Sequence, residues 1–128
     1  MLSQDLEQST GSYWHGIMHR MEGDYSNAKY WFRTAGRHPM LEDLWMQSRP
    51  ILQRHETSSL QSVRLRGLLA EMAKTVQWDP YLMTDAVQVQ VGMAREAEGE
   101  TVLQELQALE IRLMLAYSYE QCCGGKLF

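Results

Sequence analysis

Two histidines and a glutamate carry the clearest chemical pattern in this chain of 128 residues. His15, His19 and Glu22 stand at i, i+4 and i+7, so on a helix turning about 100° per residue they share one stripe. Two imidazoles four apart can converge on one divalent ion, and a carboxylate three further on can complete a facial set. The same three side chains suit acid and base roles, with Glu22 orienting a ring. A structural role, each group tied off by hydrogen bonds, is the third reading of the same spacing. Metal ligands would also need acceptors for the free imidazole nitrogens, and Asp24, Tyr13 and Glu110 are the candidates.

A cationic edge follows directly. Arg20, Lys29 and Arg33, with Tyr30 and Trp31 among them, are candidate contacts for a small anionic ligand, since a guanidinium fork matches a carboxylate or phosphate. Internal pairing with Glu22 or Asp24 is the competing expectation. Tyr13, Tyr25, Tyr30, Trp14 and Trp31 line a pocket or, at helical spacing, fill a core. Glu110 lies beside the apolar stripe of Leu106 and Leu113. Solvent is its expected side; turned inward, it needs His15, His19 or Arg20 as a partner. His38, before Pro39, is expected to meet helix-end carbonyls or to return as a third imidazole. His55, between Arg54 and Glu56, is expected in solvent.

The elements that must position these groups read as helices. Trp14, Ile17, Met18 and Met21 form one apolar arc from a start near Thr10-Gly11-Ser12 to about Glu22. Gly23 stops that helix and Asp24 caps the next, whose arc is Tyr25, Ala28, Trp31, Phe32 and Ala35. Gly36 ends it. Pro39 opens a third helix with Leu41, Leu44 and Trp45 inward, and Pro50 should end or kink it. Glu56 to Ser59 reads as a turn with a capping serine, followed by a helix from Leu60 to about Val76. Asp79 and Pro80 start another. Val87 to Val91 alternates as a strand would, yet Leu82, Ala86, Val89 and Met93 keep a helical stripe, and a lone strand leaves its backbone unpaired. Helix is the expectation there. Gly99 should close it, with Thr101 capping a last helix to about Gln121. Residues 1–10 and 124–128 are expected to be loosely ordered.

Gly16, Gly23-Asp24-Tyr25, Ala28, Phe32 and Ala35 together resemble the tetratricopeptide-repeat pattern over residues 12–39. Ser12 and His15 depart from it, standing where that family prefers tryptophan and leucine, and no second copy follows. The resemblance implies one antiparallel helical hairpin. The wider string from Trp14 to Pro39 is also similar to bacterial proteins of uncharacterised function, which implies nothing further.

Composition bounds what remains. Hydrophobic residues make up 45% and charged residues 22%, enough for a single domain with its own core. A net charge of −4 supplies no basic surface, which argues against nucleic acid as a partner. No apolar run reaches membrane-spanning length and no apolar leader opens the chain, so a membrane partner is not expected. The two cysteines, Cys122 and Cys123, are adjacent and unsuited to a relaxed disulfide, which fits a reducing, cytoplasmic setting. The fold expected is all-α, a compact bundle of five or six helices built on an N-terminal antiparallel hairpin, spanning 1–128 as one domain. The function expected is small-molecule binding on that hairpin, with a metal-dependent or acid/base enzyme as its sharper form. A non-catalytic interaction module or a self-associating homo-oligomer is the alternative.

Overall fold

The computed structural model describes residues 4–123, and among these the chain is all-α. Helix α1 (Gln4–Met21) pairs with α2 (Tyr25–Ala35) as the expected hairpin. Helix α3 (Met40–Arg54) leads through a short 3-10 turn to α4 (Val63–Lys74) and α5 (Pro80–Val89); a π turn (Gln90–Ala94) then precedes α6 (Ala97–Cys123). Helix α2 packs on α5, α5 on α4, and α6 lies along α3 and reaches α1.

The hairpin turn forms as the sequence suggests. Gly23 takes φ 83°, a left-handed conformation that lets Asp24 N donate to His19 O at 2.8 Å. Ala28, Phe32 and Ala35 are buried on the inner face of α2. Asp79 caps α5 by accepting from Tyr81 N and Leu82 N at 2.9 and 3.2 Å.

Several boundaries and faces differ. Helix α1 begins by Gln4, so residues 4–10 belong to it, and Gly11 is internal; residues 1–3 and 124–128 lie outside the described range. Ser9 explains part of the longer start: its Oγ donates to Ala35 O at 2.7 Å, tying α1 to the end of α2. The buried face of α1 is Tyr13, Gly16, Ile17 and Arg20, while Met18 and Met21 are more than half exposed. Pro50 does not end α3, which continues to Arg54. Trp45 and Arg49 hold that helix against the end of α4, through Trp45 Nε1 to Thr75 O and Arg49 to Met72 O and Ala73 O, each at 2.9 Å. Helix α4 starts later than read, with Ser62 as its cap instead of a serine before Leu60.

Residues 86–92 are helical, passing from α5 into the π turn. Gly99 is not a stop; it sits in the first turn of α6, where a Cβ would come 2.5 Å from Gln90 Oε1 and 2.8 Å from Leu65 Cδ2. The Gln90 amide explains this crowding. It accepts from Glu96 N at 3.2 Å and donates to Glu96 O at 2.7 Å, clamping the backbone between the π turn and α6.

Candidate functional site

The three residues of the opening stripe do not converge. The rings of His15 and His19 lie 6.5 Å apart, and His15, exposed, packs its ring on Trp31 at 4.5 Å. His19 turns the other way, toward the hairpin turn. Its Nδ1 is enclosed without a hydrogen bond, 3.6 Å from Glu22 Oε1 and 3.8 Å from Asp24 Oδ2. Among the described residues no three His, Cys, Asp or Glu side chains are arranged to hold a metal ion. One stripe was not enough, because the aromatic neighbour on α2 draws one imidazole away and the turn carboxylates face the other.

The cationic edge is likewise divided. Lys29 pairs with Asp85 of α5 at 2.6 Å. Arg33 and Tyr30 are exposed, and Tyr30 meets Trp31 edge-on at 5.3 Å. Arg20 is instead fully buried, which corrects both its expected pairing with Glu22 or Asp24 and the expected solvent-facing Glu110. Its Nη2 donates to Glu110 Oε1, and also to Gln107 Oε1 at 3.1 Å. Tyr13 OH completes the group by donating to Glu110 Oε2 at 2.6 Å. Burial first, and then the adjacent Glu110 charge, push the Tyr13 phenol well above its usual value of 10.0.

Arg20 does not use all its donors. Its Nε and Nη1 are buried and have no hydrogen-bond partner among the described residues. An unmet buried donor costs free energy that folding alone gives no reason to incur. Trp78 Nε1 is also buried without a bond, but it faces the Tyr13 phenol and so belongs to the core network.

Two recesses border this network. The larger, about 1060 Å³, lies between the α2–α3 turn and the α4–α5 link, and Trp45, Lys74 and Asp79 line it. His38 lies at its edge, yet both ring nitrogens are occupied: Nδ1 accepts from Met40 N at 3.1 Å, so Nε2 carries the proton and donates to Thr10 Oγ1 at 2.8 Å. His38 therefore caps α3 and is not turned to carbonyls or to a metal.

The smaller recess, about 610 Å³, opens at the lip of the hairpin between the α1–α2 turn, the π turn and α6. Arg20, Gln107, Gln104 and Arg95 line it, with Glu22 and Glu100 as its two carboxylates. Arg95 is held at φ 49°, the one left-handed non-glycine residue among those described. Of the residues singled out by sequence, Arg20, Glu22 and Tyr25 reach this recess; His15, His19, Lys29, Tyr30, Trp31 and Arg33 do not. Gln104, Gln107 and Arg95 carry no motif, and the only hint of their wall was the unusual pattern at Val87 to Val91.

His55 is a second correction. Its ring is held between two carboxylates seven residues apart on α6, Nδ1 at 2.6 Å from Glu98 Oε2 and Nε2 against Glu105 Oε2. Arg54 pairs with the same Glu105. The hydrogen bond to Glu98 is the largest influence raising the His55 pKa from 6.5, followed by burial in the opposite sense and then by Glu105. His38 moves the other way, lowered by burial from 6.5 to about 4. The two have opposite consequences for stability. A raised folded pKa gives stabilisation that is whole below pH 6.5 and is lost as pH rises through the folded value. The lowered value of His38 gives stabilisation present above pH 6.5 and lost as pH falls toward about 4. Melting temperatures should therefore fall on both flanks. His55→Gln should flatten the alkaline decline alone; an unchanged alkaline slope in that variant would show that the clamp carries no charge.

No helix among the described residues is long and apolar enough to cross a membrane. The side chains of Cys122 and Cys123 lie outside the described residues. Comparison with protein-family models, with curated proteins and with solved structures finds no match to this chain.

Proposed function

We propose that this is a small-molecule-binding helical protein whose ligand occupies the recess at the lip of the N-terminal hairpin. The observation that carries the reading is the meeting of polar side chains from three elements around one concave space, beside a π turn and a strained Arg95. Irregular backbone of this kind concentrates at sites of function, because it costs free energy to maintain. A pocket of mixed polar and apolar lining is the usual form of a ligand site. Proton transfer within it falls to Glu22 and Glu100, the carboxylates that line it; the two imidazoles lie outside.

Gln104 is exposed and lines the recess, so Gln104→Trp fills the space from its rim without entering the core. Backbone amide spectra of the labelled protein against a fragment library should show shifts at Val87, Val91 and Gln104, absent from the tryptophan variant. Fragments that map only to the larger recess between Trp45 and Asp79 would overturn the assignment. So would shifts that follow protein concentration alone and fall on the exposed Met18 and Leu115, which lie outside the recess, the pattern of a self-associating interaction module.

A further inference from the structure

We infer that the loop joining α3 to α4 is a pH-operated latch: residues 55–59 are shut against α6 while both ring nitrogens of His55 carry protons, and swing out on Leu60 when one proton leaves. The inference is independent of the recess. None of residues 55–59 is buried, and their other hydrogen bonds are local, as in Thr57 N to His55 O at 2.9 Å and Ser59 N to Glu56 O at 3.2 Å. His55 is the one residue among them with a hydrogen bond to another element. The ends of the loop are fixed by other means. Leu52 is buried at the end of α3, and Leu60 is 3% exposed with its carbonyl accepting from Arg66 Nη1 at 2.6 Å. Beyond it, Glu96 accepts from Gln61 N and Ser62 N at 2.8 Å each. A segment with so few buried contacts opens far more readily than the core.

The geometry at His55 makes that single tether depend on charge. Its side chain is 11% exposed, and each ring nitrogen faces a different carboxylate, Glu98 at Nδ1 and Glu105 at Nε2. Only an imidazolium has two N–H groups to donate; a neutral ring would turn a lone pair on one of the carboxylates. The charged groups around it are Glu98 and Glu105 of α6 and Arg54 of α3, which shares Glu105. Glu56 follows in the loop and is exposed, and Arg66 of α4 is spent on Leu60 O. The folded pKa is raised from 6.5, chiefly by the bond to Glu98, so the latch is shut below that value and opens as pH climbs past the folded one.

Trypsin reads the opening, because the bond after Arg54 lies at the tethered end and the bond after Lys74 lies beyond α4, away from it. The ratio of cutting at Arg54 to cutting at Lys74 cancels the enzyme's own pH dependence. It should rise about tenfold, the loss of one charge-assisted hydrogen bond, with the same midpoint as the His55 ring signal in a proton spectrum. His55→Gln, which has no charge to lose, should give a high ratio at every pH. Glu98→Gln should give a low one, since its amide can donate to the bare Nδ1 of a neutral ring while Nε2–H still meets Glu105. A wild-type ratio that stays constant across the titration would mean that His55 acts on the whole domain and not on this loop. An equal rise in Glu98→Gln would show that the second N–H is not what holds the loop shut. Either result would overturn the latch.

Discussion

Glu110→Ala should cost this protein roughly 3–5 kcal/mol of folding stability, the price of leaving a buried charge without its partner. Domains of this size are stable by about 5–15 kcal/mol, so the variant should sit at the margin of folding. Glu110 and Arg20 both have side chains at 0% exposure, which leaves no route by which water could replace the missing carboxylate. Tyr13 would lose its acceptor in the same step. Removing both charges is a different matter. Arg20→Met with Glu110→Leu and Tyr13→Phe exchanges the network for apolar groups of similar bulk, and such replacements are often neutral or stabilising. Urea denaturation should therefore rank the triple variant close to wild type and Glu110→Ala far below both. A Glu110→Ala midpoint within error of wild type would mean that the pair is not desolvated. The contrast also separates stability from use. If apolar residues can hold this core equally well, retaining the ion pair needs a reason other than stability.

That network shows where sequence alone stops. Helical periodicity identified every helix, and the inner face of α2 was legible because Ala28, Phe32 and Ala35 are simply apolar. The face of α1 was not. Ranking by hydrophobicity puts Met18 and Met21 inside and Arg20 outside, the reverse of what is found, since the residue that makes Arg20 burial tolerable lies ninety positions away on α6. Glu110 was suspicious for its place beside Leu106 and Leu113, and Arg20 stood among its possible partners; the direction of both side chains was beyond local spacing. His55 failed for the same reason. Its polar neighbours suggested solvent, while Glu98 and Glu105 come from another helix. Boundaries were misplaced where a side chain takes over backbone pairing, as Gln90 does at the π turn.

Gly16→Ala should destabilise the hairpin, although alanine ordinarily improves a helix by about 1 kcal/mol over glycine. A Cβ at Gly16 would fall 2.6 Å from Cδ1 and 2.8 Å from Cζ of Phe32, inside the distance at which real atoms can coexist. The ring has little room to retreat. It is itself buried, lies 4.8 Å from the Tyr13 ring, and has the Arg20 guanidinium 5.7 Å from its centre. Overpacking of this kind costs about 1–3 kcal/mol, enough to exceed the propensity gain. Gly11→Ala is the control on the same helix. It is exposed with no atom within 4 Å of its would-be Cβ, so it should gain stability by up to about 1 kcal/mol. A double-mutant cycle isolates the cause. In a Phe32→Leu background the offending ring atoms are gone, and Gly16→Ala should change from destabilising to neutral or favourable, a coupling of about 1–3 kcal/mol. The same loss in both backgrounds would mean that the glycine serves some end other than the approach of α1 to α2. Because the Arg20 guanidinium also lies over Phe32, a displaced ring should disturb the Arg20–Glu110 pair as well, which adds to the loss of stability.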